Sequence, residues 1–434
     1  MRGRSIDQKA TSKSGCSCEV EGQSHLPISW TMVILVLGAC GRLLAVREFI
    51  TAYPRNTFYY RPYEMGLVAS SLLHGLGFSS PFGGATGPTA IVAPGYPIAV
   101  AGIFYVFGTY TAASAVVIML LQVLVSLLTI WLMMHVATKT LGAQSALIAG
   151  AFWAVSIPLL WVPTIFWETS LSQCALVGMT ALALRCRQNP SRGMWALLGT
   201  CCALASLTNP ALLVSLVAMM AWAAYQTRRS GCRGPLLGLL ALLVVFAPWP
   251  IRNAIRFHAF IPLRSTVGIE LYMGNHPGAT GRIDESHFPM FNKQEMASYI
   301  SKGEVAYTHD KSAEAWAYIA ARPATFVKVS MRRFYRFWSG TGNANGPGIY
   351  AMHALTTTLL GGVGLLFLFR RGKRSLALLM ALPLILFPLP YYITHAEFRY
   401  RLNVDPLLTI LAAYAVTQIV ALFRRQRGLE ENLI

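Results

Sequence analysis

Acidic residues are scarce in this chain. Only 17 of its 434 residues are Asp or Glu, against 36 Lys and Arg, and charged residues of every kind reach just 12%. A soluble domain of ordinary composition carries about 25%, so a water-exposed globular domain is excluded. The short motifs of common enzyme chemistry are missing as well. There is no GxSxG elbow, no HExxH, no phosphate-cradling P-loop and no dinucleotide-binding glycine fingerprint. No repeat at solenoid or transporter period is visible. The eight cysteines form no disulfide framework: Cys40, Cys174, Cys201 and Cys202 lie in apolar runs, and Cys186 and Cys232 lie in basic loops. Cys16 and Cys18 offer two metal ligands without a partner pair, so no metal and no other cofactor is read from the sequence. The net charge of +19 is gathered in short clusters at apolar ends. A stripe of alternating base and aromatic is lacking, which excludes nucleic acid as a partner.

Apolar residues fill the space that charge vacates, at 55%. They form stretches of about the 20 residues a membrane-spanning helix needs. Every second loop between them is basic: Lys139, then Arg185, Arg187 and Arg192, then Arg228, Arg229 and Arg233, then Arg370 to Arg374, then Arg424 to Arg427. Lys and Arg stay on the cytoplasmic side, so this alternation sets topology and orientation together. The predicted spans are 27–46, 112–138, 143–163, 166–184, 194–208, 210–225, 234–250, 347–369, 375–393 and 403–423, with 96–108 too short to cross. Arg42 is expected to snorkel to the headgroups. The fold class is an all-α polytopic membrane protein, a helix bundle of about ten spans in the cell (inner) membrane, with extracytoplasmic loops and interfacial helices. No cleavable signal peptide is expected. The segments are a cytoplasmic tail (1–26), a transmembrane core (27–250) containing an outer loop (47–95), an extracytoplasmic segment (251–346), carboxy-terminal transmembrane helices (347–423) and a second cytoplasmic tail (424–434).

Apart from five acids in the termini, every Asp and Glu falls in an outer loop or at the outer end of a span. Chemistry is therefore expected there. In the first outer loop, Pro62 can start a helix, Met65, Ala69, Leu72, Leu73 and Leu76 recur on one face, and Gly75 and Gly77 end it. Glu64 sits in its first turn, either as a general base at the membrane surface or as a solvated helix starter. Glu168, where two spans meet, either faces a polar cavity or lies among headgroups. Arg252, Arg256, His258 and Arg264 break the sign rule for outer loops. They either bind an anion or anchor headgroups while pairing with Glu270. Near the last span, Arg399 and Arg401 flank Tyr400, with His395 and Glu397 close by. Extended backbone points both guanidiniums one way, and a helix splays them apart. Arg grips phosphate bidentately. The stretch from Phe326 to Trp338 suits a structural interfacial helix.

The strings RPYEMG, GLGFSSPF and GPTAIVAPGYP in the first outer loop, with PWPIRNAIRFHAFIPLR, ELYMGNHPGATG and FRYRLNVDP later, resemble bacterial membrane glycosyltransferases of the GT-C superfamily, near glycosyltransferase family 39. The resemblance covers most of the chain. It implies a GT-C-like bundle that takes a sugar from a polyprenyl-phosphate donor and passes it to a lipid, glycan or protein acceptor at the outer face. It implies Glu64 as the catalytic base, where many members carry Asp or Asp-Glu. Arg399, Arg401, His395, Arg252, Glu168 and Tyr96 are the expected substrate-binding residues. A transporter or flippase, and a ligase moving a whole glycan on a similar scaffold, are the competing readings.

Overall fold

A computed structural model describes residues 28–52, 63–341 and 348–431. The amino-terminal tail with Cys16 and Cys18 lies outside the described residues, as does Pro62. Among the described residues the secondary structure is helical apart from one isolated bridge between Ser79 and Pro88, and Cys40, Cys174, Cys186, Cys201, Cys202 and Cys232 are all free.

Among the described residues, six helices are long and apolar enough to cross a membrane: Ile28–Ala52, Ala112–Leu141, Arg233–Phe257, Gly348–Arg370, Arg374–Ile393 and Asp405–Arg424. A seventh forms if Ala143–Val155 and Ile157–Thr164, bent by 68°, count as one span. Length and composition thus do not confirm the expected ten. The remaining predicted spans are helices, but Thr169–Gln188 is too polar, and Arg192–Thr208 and Pro210–Gln226 are both short of the length a span needs. Gly95–Phe107 is a helix of 13 residues, too short to cross.

The longest helix shows how local sequence sets its limits. Thr111 and Ser114 form a capping box at the start of Ala112–Leu141, and Gly142, at a φ of 102°, ends it. Close helix contact is made by small residues. A Cβ on Gly364 would lie 2.0 Å from the Leu411 carbonyl oxygen, so only glycine lets Gly348–Arg370 press against the last helix.

The bundle has two chemically different ends. At one, the basic loops meet: Lys373 donates to the Thr140 carbonyl at 3.0 Å, and Trp222 to the Ser375 carbonyl at 2.9 Å. At the other, the polar connections converge. The Ser265 amide donates to the Ala90 carbonyl at 2.9 Å, and Asn275 to the Ile393 carbonyl at 2.8 Å. Arg333, fully buried in the helix Pro323–Ser339, donates to the carbonyls of Gly274, Tyr392 and Ile393 and ties these connections together.

Arg42 departs from expectation. It does not snorkel; it is 0% exposed. Its Nε donates to Ser126 Oγ at 2.7 Å, and its Nη atoms donate to the carbonyls of Gly38, Trp153 and Ala154. The reason lies at the 68° bend. Pro158 has no N–H, so the Ala154 carbonyl has no i+4 donor, and the guanidinium supplies one. An Arg42→Met variant is expected to leave the Ala154 carbonyl unpaired, at roughly 1–3 kcal/mol. Thermal unfolding in detergent checks this. An unchanged midpoint would assign Arg42 no part in holding the bend.

Candidate active site

The site is built at the polar end from four connections. The helix Glu64–Leu73 begins with its own carboxylate at the positive end of the dipole. Met65, Val68 and Ala69 on its buried face pack it down, and Gly75 and Gly77, both at positive φ, stop it. Glu168 stands at the N-cap position of Thr169–Gln188 without a side-chain capping bond. The segment before it is drawn into the bundle by Gln122, whose amide donates to the carbonyls of Pro163 and Ile165 at 3.2 and 2.9 Å. Tyr96 stands in the first turn of Gly95–Phe107. Gly95 permits this placement, since a Cβ there would fall 2.5 Å from Thr208 Oγ1. Arg399 rides on the short helix Phe398–Arg401.

These elements bring Glu64, Glu168, Glu270, Arg264 and Arg399 within electrostatic reach of one another. Arg399 lies over the Trp167 ring at 4.5 Å and beside Tyr400, with Nη2 to the phenol oxygen at 3.4 Å. Arg264 donates from Nε to the Ile91 carbonyl at 2.6 Å and faces Glu270 at 3.9 Å. His395 Nε2 meets Glu270 Oε2 at 2.5 Å. Glu64, Glu168, Glu270, Arg264 and Arg399 all keep some accessible surface, and burial acts against charge on Glu64, Glu168, Glu270 and Arg399, so they line a recess.

The three carboxylates are not equivalent. Burial pushes the Glu64 carboxyl up, and Arg399 and Arg264 only partly offset it. Burial also raises Glu168 against the same two arginines. Burial acts on Glu270 too, but the His395 hydrogen bond and the charges of His395, Arg264 and Arg399 overcome it and hold that carboxyl at about 2. Burial opposes the charge on Arg399, yet Tyr400, Glu168 and Glu64 outweigh it and keep the guanidinium charged. Burial pushes the Tyr400 phenol up to about 12. Glu168 Oε2 and the Tyr96 hydroxyl are buried without a hydrogen-bond partner. Unpaired buried polar atoms of this kind cost stability and leave two groups ready for a ligand.

Two expected binding residues are placed elsewhere. Residues 398–401 are helical, so Arg399 and Arg401 diverge. Arg401 is 0% exposed and donates to Asp405, to Thr357 Oγ1 at 2.6 Å and to the Ala354 carbonyl at 3.0 Å. With these partners it is a structural ion pair inside the bundle and has no face toward the recess. Arg252 donates to the carbonyls of Thr89 and Phe78, both at 2.8 Å, and stacks over Trp249 at 5.1 Å. It holds the glycine-rich loop. His395 reaches the recess only through Glu270. Trp167, Tyr400 and Glu270 were missed as recess residues. Only the positions of Trp167 and Tyr400, beside Glu168 and Arg399 in the chain, hinted at two of them.

No protein-family model and no curated protein matches the chain. Solved structures do. The chain is similar to the archaeal oligosaccharyltransferase AglB from Archaeoglobus fulgidus, in complex with an inhibitory peptide and a dolichol-phosphate, with a TM-score of 0.54 and 12% identity over 93% of this chain and 52% of that one. The apo form of the Archaeoglobus fulgidus oligosaccharyltransferase gives the same values. ArnT from Cupriavidus metallidurans bound to undecaprenyl phosphate follows at 14% identity over 90% of this chain and 77% of that one, with a TM-score of 0.41, too low to weigh. The likeness is one of fold. It does not single out family 39, and the chain spans about half the length of the archaeal structures.

The charge states can be tested chemically. A carbodiimide attacks protonated carboxyls. At neutral pH it is expected to label Glu64 and Glu168 ahead of Glu270, as read by peptide mass spectrometry. Preferential labelling of Glu270 would contradict the assigned order.

Proposed function

We propose that this chain is an integral-membrane glycosyltransferase that moves a sugar from a polyprenyl-phosphate-linked donor to an acceptor hydroxyl. The carrying observation is that two carboxyls of raised pKa, Glu64 and Glu168, meet two guanidiniums, Arg399 and Arg264, at the end of the bundle opposite the basic loops. By the charge rule that end faces away from the cytoplasm. Sugar nucleotides are not supplied there, so the donor arrives on a lipid. A cavity of about 250 Å³ lined by Leu171, Ala175, Met179, Leu182, Cys201 and Leu204 begins one turn along the helix from Glu168 and offers an apolar track for an isoprenoid chain. The fold likeness to a protein solved with dolichol-phosphate adds support.

In the proposed reaction the acceptor oxygen attacks the anomeric carbon. Its proton passes to the Glu64 carboxylate. The bond between the anomeric carbon and the phosphate oxygen breaks, and its electron pair leaves with the polyprenyl phosphate. Arg399 and Arg264 neutralise the charge that develops on that phosphate. Glu168 and Tyr96, with polar atoms unpaired, hold sugar hydroxyls. A raised pKa suits Glu64 to this task, because a base works best when its pKa lies near the working pH.

Glu64→Gln is expected to reduce turnover by about 10²–10⁴-fold, followed by mass spectrometry of envelope glycolipids and glycoproteins in cells with and without the gene. The same spectra separate a single transferred sugar from a whole glycan. In the wild type the acid limb of the rate profile is expected above the ordinary carboxyl value of 4.5. Activity falls as pH drops through the raised value, because protonated Glu64 cannot accept a proton. Full activity in Glu64→Gln would discard the assignment.

A further inference from the structure

Outside the recess, three side chains converge that neither the fold nor the proposed reaction uses. His276 follows the helix Val267–Gly274, and Asp284 and His287 belong to the turn that closes the next loop. One ligand atom from each lies within 4.8 Å of the others. His276 Nε2 is 3.3 Å from Asp284 Oδ2, His287 Nε2 is 3.9 Å from the same oxygen, and the two rings are 4.4 Å apart.

The hydrogen bonds around them sort the atoms into ligands and supports. His276 Nδ1 is 2.9 Å from the Pro277 carbonyl, which can only accept, so the proton of a neutral ring sits on Nδ1. The lone pair is then on Nε2, which is buried and has no hydrogen-bond partner. Asp284 Oδ1 accepts from the Ser286 amide at 3.1 Å and from Ser286 Oγ at 2.6 Å, which leaves Oδ2 turned to the two histidines. The His276 lone pair thus faces a carboxylate oxygen, with His287 Nε2 turned to the same oxygen, an arrangement that a positive charge at its centre would satisfy. A carbonyl holding the outer ring N–H is the support that metal-bound histidines usually carry. Zinc bonds of about 2.0–2.1 Å in tetrahedral geometry separate ligand atoms by about 3.3–3.4 Å. The His276–Asp284 distance already fits, and the partly exposed His287, at 3.9 Å from Asp284 Oδ2, has to swing inward to close the set.

We infer that His276, Asp284 and His287 form a binding site for one zinc-like divalent cation, with water as the fourth ligand. Asp284 and His287, with side chains 39% and 29% exposed, provide the way in. The ion serves as a brace. It joins the two ends of the loop 277–283, and that loop carries the segment before Arg399: the Ala396 amide donates to the Gly281 carbonyl, and the Ile283 amide to Glu397 Oε1, both at 3.2 Å.

The test uses the full chain in detergent with any affinity tag removed, stripped with chelator and titrated with Zn²⁺. Bound metal is counted by elemental analysis, and Co²⁺ reports the geometry through its visible spectrum. The expectation is one ion per chain, a tetrahedral Co²⁺ spectrum and a melting temperature that rises with Zn²⁺. His276→Ala and Asp284→Asn should each weaken binding by at least the ~10–100-fold that loss of an outer-shell partner costs. Asp284→Asn keeps the side-chain shape at a partly exposed position, so it decides the matter if His276→Ala fails to fold. No bound metal in the wild type, or undiminished binding in Asp284→Asn, would overturn the site. The second result would place the ion elsewhere, Cys16 and Cys18 included.

Discussion

One buried carboxylate sets the geometry on which the polar end depends. Glu304 is 5% exposed and accepts four hydrogen bonds, from Thr89 Oγ1, the Ala90 amide, Ser265 Oγ and the Tyr299 hydroxyl, at 2.6–2.8 Å. A carboxylate removed from water is stable only when its lone pairs are filled in this way. Filling them joins the glycine-rich loop, the start of the long polar segment and the helix Lys293–Lys302. Arg264, next to Ser265, is thereby brought to the Ile91 carbonyl and from there to the recess. A loop rich in Gly, Pro, Ser and Thr has little structure of its own. Here its path is set by one side chain more than two hundred residues away.

The same rule separates charges held inside the bundle from charges left partly covered. Arg42, Arg333 and Arg401 are fully buried and surrounded by acceptors. Their hydrogen bonds hold a bend, a loop junction and a helix pair. Glu64, Glu168 and Arg399 are only partly covered. The two carboxyls are pushed up by burial, and Arg399 is kept charged by its neighbours. The first set is closed off from the surface, whereas the second keeps accessible surface beside opposite charge.

Particular residues show how far the sequence can be read. The helix at Glu64 was legible in its apolar spacing and its terminal glycines, because both signals are local. The sorting of basic loops was legible too, and the contacts at Thr140 and Ser375 bring basic-loop segments together at one end. The span count was not legible, since a 17-residue apolar run reads alike whether it crosses a membrane or packs beside helices that do. Arg399 and Arg401 looked equivalent, because two residues with one residue between them differ only once the backbone is known to be helical.

Composition and charge order determined that this is a helical membrane bundle whose acids, those of the termini apart, are gathered away from its basic loops, because desolvation acts on every residue wherever its neighbours lie. Which acid meets which base was decided by tertiary structure alone. Glu64, Glu168, Glu270 and Arg399 come from four separate connections, and so do the partners that saturate Arg42 and Glu304. The same holds at closer range for His276, Asp284 and His287, whose shared focus depends on how one loop folds back. Electrostatic and hydrogen-bond energies fall off within a few ångströms, so the chemistry of each group follows from distances that linear order does not contain.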